Sequence, residues 1–356
     1  MSNEVILKVG GYAYSGWTSI IIEKSLRQMA GSFGLATTNP FPGQARKWNI
    51  GLGNECIVEI NKQKVITGYI EDIVLDYDST THNIQFGGRD KTGDLIDCSY
   101  DEVVKEWQGL SILKIIKTLC NPFSIDVVAD SSAFVAANSV WRDNFKANEG
   151  DTIFDLISKI CRMKAILPVS YSDGKLTLTR AGTAYKATDA LLSGKNVLKA
   201  KFDQSDKDRY QTYIVKGQGI GDDNKVTLPM FTGNTGRATD SVIKRYRPIV
   251  IFTETPSDNG KCLERAKWEK NTRAGASRSL TYEVRGWTQS DGNIWPLNAM
   301  VQVNDKEFGI NETLLIADLS FLIDEINGEI TRMRVVSPDA FTTKPFEIKS
   351  GFDLFS

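Results

Sequence analysis

The sequence predicts a mainly β protein with an α+β insertion, in which two similar β-barrel domains enclose a mixed α/β middle domain. Short apolar strands separated by glycine and proline turns dominate residues 1–95 and 196–340. After Asp90 the hydrophobic period changes from two toward 3.6, which favours helices. The strand pattern of the first region then recurs near the end of the chain. At 356 residues the chain exceeds the usual size of one hydrophobic core, so several structural units are expected.

The first domain, residues 1–95, contains a series of short strand patterns. Ile20, Ile21 and Ile22 belong to a run that is partly apolar on both faces, as in a barrel wall. Turns are predicted at Gly10-Gly11, at Pro40 and Pro42, at Gly51 and Gly53, and at Asp78–Thr81. The predicted strands are Val5–Val9, Trp17–Ile22, Ser32–Thr38, Glu55–Ile60, Val65–Asp76 and His82–Gly87.

The middle domain, residues 96–195, is predicted to hold two amphipathic helices and a hairpin. Ser111 is a plausible N-cap for a helix that Asn121-Pro122 ends. Asp151 or Thr152 caps the second helix, and a turn at Ser172–Gly174 joins two strands, Leu167–Ser170 and Lys175–Arg180. The small, polar segment Gly182–Asn196 is interpreted as a connector.

The second β domain, residues 196–340, is predicted to be interrupted by a helix near residues 260–278. The many charges of this helix, among them Lys267 and Lys270, are expected to face solvent. The predicted strands are Tyr210–Gly217, Ser279–Trp287, Ala299–Val303, Glu312–Ile323 and Glu329–Val336. Residues 341–356 form a C-terminal tail rich in phenylalanine, which we expect either to pack on its own barrel or to contact a neighbour.

Two segments of the β domains resemble each other. Ile70–Asp78 aligns with Ile316–Asp324, and the same offset of 246 residues places Ile84 on Ile330. With a small gap, Cys56–Asn61 also aligns with Ala299–Asn304. The similarity predicts a duplicated barrel, although two alternating hairpins can also look alike by chance.

Composition excludes several classes of function. The 43 basic residues are balanced by 44 acidic ones without a long run of one sign, which argues against sequence-specific nucleic-acid binding. Met1–Gly11 lacks a secretory signal and no stretch approaches the ~18 apolar residues of a membrane span, so we expect folding in the cytoplasm without membrane insertion. The cysteines are odd in number and widely spaced, which predicts buried free thiols: Cys56, Cys98, Cys120, Cys161 and Cys262.

No set of residues predicts catalysis, a cofactor or a metal. The single histidine, His82, has no metal-binding companion near it in sequence and is interpreted as a surface turn residue. The string Gly217–Gly221 does not open a helix, and the polar run Asp222–Asn224 lacks EF-hand spacing. Glycoside hydrolysis needs two carboxylates across a cleft, but adjacent residues on a strand point to opposite faces. The acidic pairs are therefore interpreted as solvated turns and rims: Glu71 with Asp72, Asp101 with Glu102, and Asp324 with Glu325.

Another motif is Glu149–Leu156, which resembles the opening of LysM peptidoglycan-binding modules. Helix capping alone favours the same residue types. Sugar binding therefore stays an alternative.

Several segments spread over residues 16–218 share the pattern of one known family. They are Gly16–Leu26, Ala30–Phe33, Gly68–Ile70, Gly88–Ser99, Glu149–Leu156 and Tyr213–Gln218. Together these segments resemble Mu-like phage baseplate hub proteins, the group that includes late control D proteins and 43 kDa tail proteins. The last third of the chain matches this family more by architecture than by motif.

The resemblance implies a structural subunit of a contractile phage or prophage tail, located in the virion baseplate after assembly in the bacterial cytoplasm. In this family each of three subunits contributes two tube-like barrels, so that a homotrimer makes a pseudo-sixfold ring. The implied partners are the tail-tube protein, the central spike protein and other baseplate proteins, with DNA only as passing cargo in the channel. The family brings no catalytic residues.

Two alternatives remain open at the level of sequence. One is a baseplate enzyme or binding protein for the cell wall, which the LysM-like turn and the scattered carboxylates would serve. The other is a tail-tube protein or a hub component of a type VI secretion system or tailocin. Type VI spikes carry a fused spike domain, for which we expect no room before Ser356.

Overall fold

The computed structural model describes residues 4–38, 48–80, 82–101, 106–141, 145–162, 164–183, 185–218, 233–324 and 328–341. Among the side chains of these residues, those of residues 218, 254–256 and 324 are not described. The predicted turn prolines Pro40 and Pro42, the Asp222–Asn224 run, Glu102, Glu325 and tail residues 342–356 lie outside the described residues.

The first part of the chain forms seven antiparallel strands. Strand β3 alternates as predicted, with Ile20 and Ile22 buried and Ile21 exposed. The predicted strands are confirmed and one short strand, β2, is added. Their bounds are β1 Val5–Val9, β2 Tyr12–Tyr14, β3 Ser19–Ser25, β4 Ser32–Thr38, β5 Glu55–Ile60, β6 Gln63–Tyr77 and β7 His82–Asp90.

The middle part has its own buried cluster, built around two amphipathic helices. Ser111 caps α2 as predicted, because its hydroxyl accepts the N–H of Lys114. The elements are α1 Gly93–Asp97, β8 Glu106–Trp107, α2 Ile112–Cys120, a 3₁₀ helix at Asn121–Phe123, β9 Val127–Ala129, α3 Phe134–Ala137, β10 Phe145–Lys146, α4 Ile153–Arg162, β11 Leu167–Ser170 and β12 Leu176–Thr179.

The last part again consists mainly of strands, some paired antiparallel and some parallel. It consists of β13 Tyr185–Lys186, β14 Leu191–Leu192, β15 Val197–Gln204, β16 Thr212–Gln218, β17 Thr235–Thr239, β18 Pro248–Pro256, α5 Asn259–Ala276, β19 Arg278–Arg285, β20 Ala299–Asp305, β21 Ile310–Asp324, β22 Gly328–Val336 and a 3₁₀ helix at Pro338–Phe341.

Two expectations for this last part are wrong. The segment Gly182–Asn196 is not only a connector, since β13 and β14 lie in it and both pair with β20. The charges of α5 do not all face solvent, because Glu269 is buried between Arg265 and Arg273. Strands β16, β17 and β18 form a separate small sheet on which α5 packs, so the interruption between β15 and β19 is larger than one helix.

The first and last parts share one sheet, in the order β15-β19-β22-β21-β3-β4-β7-β6-β5-β1-β2. Strand β20 lies outside this linear order and pairs with β21, β13 and β14. Below, β1–β7 are called the first half and β13–β15 with β19–β22 the second half. The mainly β class is confirmed, but among the described strands neither half closes into a barrel, because edge strand β3 of the first half pairs with β21 of the second. Buried apolar residues of both halves form one contiguous core.

The halves repeat each other in strand order and in detail. The order β3-β4-β7-β6-β5 corresponds to β15-β19-β22-β21-β20. A β-bulge lies between Ile70 and Asp72 in β6, and one lies between Ile316 and Asp318 at the aligned position of β21. A shared irregularity of this kind is not produced by chance similarity of hairpins. The duplication predicted from sequence is therefore present in the fold.

The paired residues correct the predicted alignment in two places. Leu75 pairs with Ile84, whereas the corresponding Phe321 pairs with Thr331, so Ile84 matches Thr331 and not Ile330. Likewise Cys56 pairs with Gly68 and Val301 with Leu314, so Cys56 matches Val301 and not Ala299. The loop lengths differ between the halves, which an ungapped comparison cannot show.

Candidate functional site: the junction of the halves and two free edges

The junction between the halves is an antiparallel pairing of β3 with β21, from Ser25 opposite Asp318 to Ile20 opposite Ile323. Ile22 lies opposite Phe321, and both side chains are buried in the common core. Apolar contact beneath the sheet and main-chain hydrogen bonds within it hold the halves together. The junction shows how one half of this chain binds another.

Polar groups fix the end of the junction. The Ser25 hydroxyl donates to Asp318, which also accepts a hydrogen bond from Arg334 of β22. The N–H of Leu26 donates to the carbonyl of Ala317, the bulged residue, at 2.9 Å. Because the bulge and the serine must face each other, these contacts oppose slippage of the strands by one residue.

The first free edge lies on β6. Strand β5 pairs with β6 only as far as Tyr69, and no described strand pairs with the same edge over Asp72–Tyr77. Three large side chains of this segment are exposed, Val74 by 53%, Leu75 by 64% and Tyr77 by 76%. Phe321 occupies the position of Leu75 in the second half and is only 1% exposed. Strand β3 therefore covers this edge on β21 of the second half, whereas no described strand covers the equivalent edge on β6 of the first half.

The second free edge is that of β15, which pairs with β19 and with no other described strand. Ala200 pairs with Tyr282 and Phe202 with Leu280, as Ile20 and Ile22 pair with Leu35 and Phe33. Strand β15 is thus the counterpart of β3.

A local turn supports this correspondence. After β3 the N–H of Arg27 donates to the Ser25 hydroxyl at 3.0 Å, and after β15 the N–H of Lys207 donates to the Ser205 hydroxyl at 3.3 Å. Ser205 therefore occupies the place of Ser25. No strand was predicted from the sequence at β15, although Leu198, Ala200 and Phe202 alternate there with charged residues.

Local contacts account for the residues that were candidates for catalysis or metal binding. Glu71 accepts two hydrogen bonds from Arg89, the shorter at 2.6 Å, and Arg89 also contacts Asp97 at 2.5 Å. These carboxylates raise the pKa of Arg89 above its usual value, so they stabilise its charge. The His82 ring lies beside that of Tyr77 near the tip of the β6–β7 hairpin, tilted by 35° with 5.6 Å between ring centroids. The acidic pair Glu71–Asp72 lies within strand β6 and not in a turn, because Glu71 is the bulged residue and Asp72 resumes the pairing with β7.

The LysM-like segment forms a helix start. The Thr152 hydroxyl accepts the N–H of Asp155 at 3.1 Å, and the Asp155 carboxylate accepts the N–H of Thr152 at 3.1 Å, which is a reciprocal capping box. Asp151 accepts a bond from Lys159 at 2.9 Å. These contacts explain the residue types without a sugar ligand.

All five cysteines are free, and four are buried as predicted, whereas Cys98 is exposed. Burial raises the pKa of Cys56 and of Cys120 to about 12, so both thiols stay protonated at neutral pH. Within the described ranges, no group of three or more His, Cys, Asp or Glu side chains could hold a metal ion. No helix in the described part of the chain is long and apolar enough to cross a membrane.

Three protein-family models together match most of the chain. Residues 4–90 match the N-terminal domain of Mu phage baseplate assembly protein GpP-like proteins. Residues 92–180 match the second domain of gp44-like baseplate hub proteins, and residues 259–344 match the fourth domain of Mu phage baseplate assembly protein GpP.

The matched families and the duplicated sheet define a phage tail protein of the baseplate hub class. The baseplate hub protein gp44 of Escherichia phage Mu is 30% identical over 347 residues, which cover 96% of this chain and 89% of gp44. The chain therefore belongs to the Mu-type baseplate hub family, as its sequence motifs predict.

Solved structures share the fold. A 43 kDa tail protein of prophage MuSo2 from Shewanella oneidensis is 34% identical, with a TM-score of 0.84, over 95% of this chain and all of that chain. A tail protein from Neisseria meningitidis MC58 is 20% identical, with a TM-score of 0.81, over 96% of this chain and all of that chain. An Escherichia coli type VI secretion component has the same fold at 8% identity, with a TM-score of 0.56, over 93% of this chain and 76% of that chain.

Proposed function

We propose that the chain forms a homotrimeric ring with a central channel, which joins the tail tube to the central spike of a contractile tail. Membership of the baseplate hub family supports the location, and the duplicated halves support the ring. Three chains with two equivalent halves each present six similar units around one axis. Such a ring can match a sixfold tube on one face and a threefold spike on the other.

The observation that carries the proposal is that the uncovered edge of β6 corresponds to the covered edge of β21. Exposed main-chain edges invite another strand, and natural proteins usually block them. Here the Asp72–Tyr77 edge carries large apolar side chains instead of lysine or proline, so it is suited to pairing. A closed ring leaves no such edge free.

A structural role without catalysis is part of this proposal, as are DNA as passing cargo and binding to other baseplate proteins. We also propose that residues 1–95, 96–195 and 196–340 act as separate domains of the hub. The middle part has its own buried cluster, which supports the boundary near residue 95, whereas Ala187 and Leu191 already belong to the core shared by the halves.

The assembly is tested by light scattering and by electron-microscopy class averages of the purified protein, alone and with spike protein. We expect a mass of three chains and a three-lobed ring with a central hole. A single-chain mass in the presence of spike protein would contradict the proposal. Release of muropeptides from purified peptidoglycan would contradict the non-catalytic role.

A further inference from the structure

The junction inside the chain is a template for the contact between chains. Strand β15 corresponds to β3, and the free edge of β6 corresponds to the edge of β21 that β3 covers. We propose that β15 of one copy, together with Ser205 directly after it, pairs antiparallel with Asp72–Tyr77 of a second copy, in the register of the internal junction. This inference rests on the proposed ring and adds its interface.

The register follows from the internal pairs. Ser25 lies opposite Asp318, and their counterparts are Ser205 and Asp72. Applied along the strands, the same correspondence places Phe202 opposite Leu75 and Ala200 opposite Tyr77. The six pairs are Ser205 with Asp72, Gln204 with Ile73, Asp203 with Val74, Phe202 with Leu75, Lys201 with Asp76 and Ala200 with Tyr77.

The chemistry of the facing residues fits this register. Ser205 meets Asp72, so the hydroxyl-to-carboxylate hydrogen bond of Ser25 with Asp318 can form again between chains. Lys201 meets Asp76, which are opposite charges. A shift by one residue would place Lys201 opposite Leu75 or Tyr77 and remove both polar pairs.

Burial of apolar surface supports the same partner. Phe202 packs beside Phe308 at the edge of the core, with 5.9 Å between ring centroids. In the proposed register Leu75 of the second copy faces Phe202, as Phe321 faces Ile22 inside the chain. The contact would cover the exposed Leu75 side chain with apolar groups. It would also pair the backbone N–H and C=O groups of both edges.

Each chain has one edge of each kind, so the contact is heterologous and every copy uses both edges. If the contact between chains repeats the geometry of the junction within a chain, all six junctions of a trimer are alike. The sheet then runs through every chain of the ring.

Cysteine cross-linking tests the register. Four residues on the two edges are exposed enough to be replaced without disturbing the core: Val74, Asp76, Lys201 and Asp203. In a Cys98→Ser background, which removes the exposed native thiol, one chain carries Lys201→Cys and a second carries Asp76→Cys. Asp203→Cys with Val74→Cys is the second in-register pair. The crossed combinations, Lys201→Cys with Val74→Cys and Asp203→Cys with Asp76→Cys, use the same substitutions two residues out of register.

We expect mild oxidation of the mixed chains to give disulfide-linked dimers for both in-register pairs and at least ten times less for the crossed pairs. A chain that carries Lys201→Cys and Asp76→Cys together should give covalent trimers and no larger species. Light scattering of each sample before oxidation reports assembly independently. Trimers without in-register disulfides would overturn the proposed interface and leave the ring intact, whereas single-chain masses would overturn the ring itself.

Discussion

At the scale of single residues, two glycines set how closely β6 and β7 approach at the end of the first half. A Cβ atom on Gly68 would lie 1.7 Å from the carbonyl oxygen of Arg89, and one on Gly88 would lie 2.0 Å from that of Tyr69. The second half carries Leu314 and Val335 at the corresponding positions. This close approach therefore belongs to the first half alone.

We predict that Gly68→Ala destabilises the protein by about 3 kcal/mol or more, because the added methyl group meets backbone that cannot move aside without breaking strand pairs. Gly34→Ala is the matched control in the same sheet, since its methyl group would meet only the Gln85 side chain at 3.4 Å. The control should change stability by less than about 1 kcal/mol. Urea denaturation followed by circular dichroism measures both, and equal effects would refute this packing argument.

Asp90 is a second residue that the fold places under constraint. Burial raises its pKa above the ordinary value of 3.8, while Lys24, 3.9 Å away, and the Gly31 N–H, at 2.8 Å, oppose the rise. Because the folded pKa is higher than the unfolded one, the folded protein binds more protons between the two values. The contribution of Asp90 to the free energy of unfolding therefore falls as the pH rises from about 4, the unfolded pKa, toward the folded pKa.

We predict that Asp90→Asn removes this pH dependence. The unfolding free energy of the wild-type protein minus that of the variant should decrease from pH 4 toward pH 7. Urea titrations at each pH measure the difference. An increase over the same range would mean that attraction to Lys24 outweighs burial.

At the scale of elements, α5 is anchored by a buried carboxylate. Glu269 contacts Arg265 at 2.8 Å and Arg273 at 3.2 Å, one helical turn away on either side. Arg273 also lies over the Tyr210 ring, 5.4 Å from its centroid, and donates to the carbonyl of Asp208 at 3.2 Å. The ion pairs therefore connect the helix to the segment that follows β15.

We predict that Glu269→Ala destabilises the protein by about 2–4 kcal/mol, because it leaves two guanidinium groups without their carboxylate in a largely buried site. Glu264→Ala, which removes an exposed carboxylate of the same helix, should change stability by less than about 0.5 kcal/mol. Thermal unfolding measures both variants. A small effect of Glu269→Ala would show that water replaces the lost partner.

The elements that the sequence predicts are those with a clear apolar period. Strand β3 and helix α2 each bury one regular face. Helix α2 has the predicted bounds, whereas β3 lies at Ser19–Ser25 and was predicted at Trp17–Ile22. Strand β15 was not predicted, although Leu198, Ala200 and Phe202 alternate with the charged residues between them. This alternation is a signal by which the sequence marks one edge of the candidate interface.

At the scale of the whole molecule, the duplication could be predicted from the sequence but the junction could not. Aligned segments such as Ile70–Asp78 and Ile316–Asp324 reveal the repeat because their local patterns agree. The pairing of β3 with β21 joins residues nearly 300 positions apart, and local patterns do not encode which edge a strand meets. Among the described strands, that pairing joins the two halves in one sheet in place of two closed barrels.

The free edge of β6 makes a last prediction about the whole assembly. Leu75→Asp should prevent ring formation, because the carboxylate would lie opposite Phe202 of the next copy without a partner. A loss of affinity on the order of 100-fold is expected from burying such a charge. Since Leu75 is 64% exposed in the single chain, the variant should fold normally.

Val135→Asp is the control, because Val135 is 83% exposed on α3, away from both edges. Light scattering should give three times 39.6 kDa for the wild type and the control, and 39.6 kDa for Leu75→Asp. A Leu75→Asp protein that still forms trimers would show that this edge stays outside the interface.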